Sequence, residues 1–162
     1  MNRGRSGIGW RDVAEVVGQL AVVVSLVYVG VQVEQNTRAI QTETTQSLYL
    51  QGAERVVPVL ENAEVAELLI RASRAPERLS PSDSLRYHYF LNLQLNEFEA
   101  AFTALRRGTM DVQVGQGWLR NMGPWSCLPD AERYWRAVSQ LYDPDFRLEL
   151  DSAIAVTACG GP

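Results

Sequence analysis

Near its N-terminus the chain carries a segment that is apolar on every side. Residues 16–33, VVGQLAVVVSLVYVGVQV, lie between Glu15 and Glu34 and hold eighteen residues without a charge, nine of them Val. At 1.5 Å per residue such a helix spans about 27 Å, close to the hydrocarbon core of a bilayer. Val is only a fair helix former in water, but in lipid the backbone must satisfy its own hydrogen bonds, so helix wins. Gln19 and Gln32 sit near the ends, where amides reach the interface, and Trp10 suits an interfacial anchor. Residues 34–55 are polar, contain no Pro and only Gly52, and predict a continuation of the same helix.

From Glu54 the pattern becomes helical with clear punctuation. Val56, Leu60, Ala63, Leu68, Leu69 and Ala72 mark one or two short helices, with Pro58 near a break or a first turn. Ala75 to Leu79 predicts a loop. Ser80-Pro81-Ser82-Asp83 then supplies a cap, a proline at the first helical position and an acid in the first turn. The helix that follows, 81–107, carries Leu91, Leu95, Phe98, Phe102 and Leu105 at steps of four and three, an unbroken apolar stripe. Arg106-Arg107-Gly108 closes it with cations and a left-handed glycine.

A shorter helix is predicted over 111–122 and ended by Gly123-Pro124. Pro129 and Asp130 open another, with Ala131, Tyr134, Trp135, Val138, Leu141 and Tyr142 on its apolar face. Asp143-Pro144 separates a last helix with Phe146, Leu150 and Ile154. No alternation of period two predicts a strand.

These elements predict an all-α fold: a long N-terminal transmembrane and juxtamembrane helix followed by a small bundle of about four to five helices. The expected organisation is a short cytoplasmic segment (1–15), the transmembrane helix (16–33), the polar juxtamembrane helix (34–55), the helical domain (56–158) and a tail (159–162). Two alternatives exist for residues 16–33. A cleaved signal fits poorly, because no small-x-small site lies around Tyr28 to Gln32 and Asp12 and Glu15 interrupt a positive n-region. A buried core helix of a soluble bundle would normally keep one polar face. Arg3, Arg5 and Arg11 precede the span and only Arg38 follows within twenty residues, a bias that places the N-terminus in the cytoplasm and the domain outside.

Heptad spacing adds a second property to the span. Gly18, Ser25 and Gln32 recur every seven residues, with Ala21 and Tyr28 between them, and Ala39, Gln35 and Thr42 extend both series. Small and polar residues at such spacing let membrane helices pack closely and share hydrogen bonds. The seam formed by Gly18, Ala21, Ser25, Tyr28 and Gln32 therefore predicts self-association.

Composition narrows the chemistry. With 162 residues, 46% hydrophobic and 21% charged, the chain has room for one ordinary folded domain. Its net charge of −4 and lack of a basic block argue against nucleic acid as a partner. All fifteen basic residues are Arg, which fits the codon usage of a GC-rich genome and leaves no lysine for Schiff-base chemistry. The single His, His88, excludes multi-His metal sites within one chain.

On the long helix His88, Asn92, Asn96, Glu99, Thr103 and Arg106 form a polar stripe that fits a solvated face better than a ligand site. Glu97 falls among Phe90, Leu93, Ala101 and Ala104, so its carboxylate must be solvated or paired. Arg133 and Arg136 are its expected partners, in a buried ion pair or a ligand contact. Cys127 and Cys159 form a disulfide if the domain lies outside the cytoplasm. Cys127 with His88 as base is a weak nucleophile candidate. Trp118, Trp125, Tyr134 and Trp135 fit a core better than a ligand cage. No catalytic residue, cofactor site or metal site is predicted.

The order of these segments resembles a known family. Trp10 is followed by SLVYVGVQVEQNTRA, AEVAELLIRA, LSPSDSLRY, RRGTMD and PDAERYWRAVSQLYDPDFRLELD, covering roughly residues 10–155. This is similar to an uncharacterised family of small bacterial proteins with one N-terminal transmembrane helix and a helical remainder. The resemblance implies architecture and carries over no catalytic residue. The turn Cys127-Leu128-Pro129-Asp130-Ala131 departs from the acidic or Gly-containing turn common in such chains. The expected function is a membrane-anchored interaction or oligomerisation module without catalysis, in the bacterial inner membrane, with the lipid bilayer and further copies of itself as partners. The alternatives are a membrane-tethered sensor of a small ligand and a soluble helical bundle.

Overall fold

The computed structural model describes residues 9–159, and all regular structure among them is helical. Arg3 and Arg5, which contribute to the orientation argument, and the Gly160-Gly161-Pro162 tail lie outside the described residues. Seven α-helices follow in order: α1 (Trp10–Glu61), α2 (Ala63–Arg74), α3 (Pro81–Arg106), α4 (Val112–Leu119), α5 (Met122–Ser126), α6 (Ala131–Val138) and α7 (Pro144–Val156). Single 3-10 turns cover Pro76–Arg78 and Ser139–Leu141. By their internal contacts the residues separate into two units that meet within α1, Met1–Ala39 and Ile40–Pro162.

The first unit is helical from Trp10 onward. It holds the apolar stretch, and α1 is the one described helix long and apolar enough to cross a membrane. None of its most apolar eighteen-residue stretch is buried. Val22, Val23, Val24, Leu26, Val27 and Val29 are all exposed, so the apolar surface runs round the helix.

The second unit begins with the polar half of α1, which runs through Pro58 where a break was expected. A proline this close to the end removes one hydrogen bond without forcing the turn open. The helix stops instead at Asn62, whose side chain accepts from the Glu64 amide at 2.9 Å and so caps α2. Ser80 accepts from the Asp83 amide at 3.1 Å, with Pro81 at the first helical position. Gly108 adopts φ +68° after α3, the left-handed conformation expected there. Asp111 and Asp143 cap α4 and α7 through their carboxylates.

One boundary differs from the sequence expectation. Gly123 and Pro124 lie inside α5 rather than ending a helix. Pro124 falls in the first turn, where an amide has no intrahelical acceptor in any case. A Cβ at Gly123 would stand 2.2 Å from Thr157 Oγ1, so the glycine serves the close packing of α5 on the end of α7.

The apolar stripe of α3 organises the core. Leu91, Leu95, Phe98 and Phe102 are buried with Met122, Trp125, Trp135, Tyr142, Phe146 and Leu150 from the helices that follow. Leu105 is half-buried, next to Gly115. Phe146 is fully buried, with Phe102, Trp135 and Tyr142 rings 5.4–6.1 Å apart from one another or from it. A smaller cluster joins Leu48 of α1 to Ala101, Ala104 and Met110. Truncating Phe146→Ala should cost about 3–5 kcal/mol, and chemical unfolding followed by tryptophan fluorescence in mild detergent measures it. A loss under about 1 kcal/mol would remove Phe146 from the centre of the core.

Candidate functional site

The polar half of α1 lies antiparallel to α3. Gln41 Nε2 donates to the Gly108 carbonyl at 3.2 Å at one end. Leu48 is buried on Ala101 and Ala104 in the middle. At the other end Arg55 Nη1 donates to Glu97 Oε2. The Arg55 and Glu97 side chains retain 19% and 7% of their exposure, so this is a largely desolvated ion pair.

Of the two expectations for Glu97, solvated or paired, the paired one describes its place here, but the partner is Arg55 and not Arg133 or Arg136. Arg133 instead holds Asp130, and Arg136 lies 3.9 Å from Glu132 within α6. The reason is geometric. Both arginines find acids one helical turn away, whereas α1 brings Arg55 directly to the Glu97 side of α3. Burial pushes the Glu97 carboxyl above its ordinary value, against the opposing pull of the Arg55 charge and hydrogen bond. The pair borders a groove of about 470 Å³ lined by Gln51, Glu54, Leu93 and Asn96.

The polar stripe of α3 is not simply solvated. Asn92 Nδ2 donates to the Tyr142 hydroxyl at 2.9 Å, and that hydroxyl donates to Asn96 Oδ1 at 3.1 Å. Glu99 accepts from the Asp143 amide at 2.8 Å, and Arg106 donates to Asp145 at 2.6 Å. These bonds fasten the start of α7 to α3. Burial raises the Tyr142 hydroxyl pKa, so it remains a neutral donor and acceptor.

At the other end of α3, His88 Nε2 lies 2.9 Å from Asp130 Oδ2, and the imidazole stacks on Tyr134 with centroids 5.1 Å apart. Arg133 donates to both carboxylate oxygens of Asp130. Tyr87 donates to the Pro129 carbonyl at 2.8 Å, and burial together with the Asp130 charge pushes its hydroxyl up to about 12. Asp130 has φ 66°, the one positive-φ residue other than glycine among the described residues. The Arg133 hydrogen bond, joined by that of His88, holds its carboxyl below the ordinary value despite partial burial.

Cys127 and Cys159 form a disulfide with Cα atoms 5.2 Å apart. Cys127 thus has no free thiol for His88 to activate. The aromatic residues do not form one cage. Trp118 packs on Tyr49, Trp125 on Phe98, Tyr134 on His88, and the Trp135 indole donates to Asp151 at 2.7 Å. Among the described residues no group of three or more His, Cys, Asp or Glu is placed to hold a metal ion.

The seam residues Gly18, Ala21, Ser25, Tyr28 and Gln32 are exposed along α1, and Gln32 Nε2 donates to the Tyr28 hydroxyl at 2.7 Å. A Cβ at Gly18 would touch nothing within 4 Å. Arg55 carries no local sequence signal as a partner, since 42 residues separate it from Glu97. The chain matches no family model, no curated protein and no solved structure.

Removing one member of a buried pair strands the other. Arg55→Met should lower stability at neutral pH by about 3–5 kcal/mol, and adding Glu97→Leu should recover most of that loss. Denaturant midpoints of the single and double variants decide the matter, and a double variant as weak as Arg55→Met would contradict it. The folded state also keeps the Glu97 proton to higher pH than the unfolded chain does. Its contribution to stability therefore falls as pH rises from 4.5 through the raised value, and Arg55→Met should widen that window.

Asp130 behaves in the opposite sense. Its contribution is present above the ordinary value of 3.8 and is lost as pH falls through the lowered one. Asp130→Asn tolerates the left-handed backbone but removes the charge. Its stability should decline less steeply in acid than that of the wild type. Identical acid limbs in pH-dependent unfolding would count against the role given to Asp130.

Proposed function

We propose that the chain is a single-pass protein of the bacterial inner membrane and that residues 16–33 cross the bilayer. Its N-terminus faces the cytoplasm, a bundle of about four to five helices lies outside, and the protein works as a non-catalytic interaction and oligomerisation module. The observation that carries this proposal is the apolar stretch of α1, long enough to span the membrane and wholly unburied. A continuous apolar surface of that size is disfavoured in water and suited to lipid.

Two observations support the orientation. Arg11 precedes the span, and only Arg38 follows closely. The Cys127–Cys159 disulfide fits an oxidising compartment on the far side of the membrane. The seam of Gly18, Ala21, Ser25, Tyr28 and Gln32 supports association of spans, because lipid and Val are equally apolar and packing must drive it.

A second function, a membrane-tethered sensor of a small ligand, is favoured by the groove beside Arg55 and Glu97. It shares the anchor and differs in what the helical domain meets.

Full-length protein should remain in the membrane pellet after carbonate extraction and form oligomers in a bilayer. Gly18→Ile with Ser25→Ile should insert normally and associate about tenfold less, given about 0.6–2 kcal/mol for an interhelical hydrogen bond plus lost close packing. Single-molecule photobleaching in liposomes counts the copies. Full-length protein that is monodisperse without detergent would overturn the anchor, and a wild type that is monomeric in the bilayer would overturn oligomerisation.

A further inference from the structure

Two shallow grooves on the second unit both have Ala100 in their lining. One, of about 330 Å³, runs along α1 past Glu43, Ser47 and Gln51. The other, of about 390 Å³, runs along α3 past Asn96, Thr103 and Arg107. Together they make a trough with the polar half of α1 on one side and the outer face of α3 on the other. Its floor is an exposed alanine, so a helix axis can approach to about 8–10 Å.

The charges along the trough are placed asymmetrically. The Gln41–Gly108 bond fixes the antiparallel register at one end. Two residues further along α1 stands Glu43, level with Arg107 near the end of α3. Both are exposed, and neither has an ion-pair partner among the described residues. They stand on opposite helices and carry opposite charge.

We infer that this trough is the docking surface for a second copy of the chain, with Glu43 of each copy meeting Arg107 of the other. The inference rests on the membrane-anchored proposal. In this dimer the two-fold axis runs along α1 and α3 of the second unit. That symmetry lays α1 of one copy against α3 of the other. Glu43 then faces Arg107 twice, once on each side of the axis, and Ser47 and Thr103 face each other between small neighbours. A copy turned the opposite way would bring Glu43 toward the Leu93 end of α3, where no arginine lies free to receive it. Confinement to one membrane raises the effective concentration, so a modest polar surface suffices.

Charge exchange in the full-length chain, reconstituted in liposomes and followed by resonance energy transfer on lipid dilution, tests this. Glu43→Arg and Arg107→Glu should each weaken dimerisation about tenfold, because each sets two like-charge pairs face to face. The double variant Glu43→Arg with Arg107→Glu should restore dimerisation to near the wild-type level. Helicity by circular dichroism confirms that each variant is folded, and both positions are exposed. Single variants that dimerise as the wild type does, or a double variant no better than the singles, would overturn this surface while leaving the oligomerisation proposal intact. Loss of wild-type dimers altogether would overturn both. Retained dimers in the charge variants that disappear with Gly18→Ile and Ser25→Ile would assign association to the span alone, and so would also overturn the trough.

Discussion

Short helices cannot hold themselves in water. Nucleation is costly, and an isolated helix of fewer than about 12–15 residues is marginal. In the second unit α4 and α6 have eight residues each, α5 has five, and α2 and α7 have twelve and thirteen. α3, with 26 residues, is the one long element wholly within that unit. Its apolar stripe is the surface on which the core assembles, and the burial of Leu91, Leu95, Phe98 and Phe102 supplies what propensity does not.

The same helix holds its neighbours by polar contacts. Asn92 and Asn96 clasp the Tyr142 hydroxyl, Glu99 receives the Asp143 amide, and His88 reaches the Asp130 carboxylate. These bonds have direction, which apolar burial lacks. They fix where each short helix begins along α3, while the stripe supplies the driving force. Glu97 is the exception, a charge on the buried side, and Arg55 on α1 answers it. The two residues thereby record the register of α1 on α3.

Much of this was legible in the chain. The all-helical class, the cap at Ser80, the left-handed Gly108 and the stripe of α3 follow from local spacing and turn chemistry, and each is found. The apolar stretch of α1 is equally plain because length and the absence of charge suffice to define it. What stayed hidden depended on distance in sequence. Arg55 has nothing around it that points to Glu97, whereas Arg133 and Arg136 stand out in sequence as cations of the helical domain. The dipeptide Gly123-Pro124 is ambiguous for another reason: a glycine kept for close packing against Thr157 looks the same in sequence as one kept for a turn. The polar stripe of α3 looks solvated in sequence because periodicity locates a face without saying what covers it.

The backbone at Asp130 sets a lasting restriction on how the sequence can drift. Its left-handed conformation alone would favour glycine or asparagine over most other residues. Its side chain faces a different demand, since His88 and Arg133 both converge on a carboxylate. Glycine meets the first demand and fails the second; glutamate carries the charge but lacks the short side chain that eases the left-handed state. Divergence at this position therefore has a preferred order. His88 and Arg133 must first become dispensable, after which the turn is free to become glycine, and the three positions vary together rather than singly.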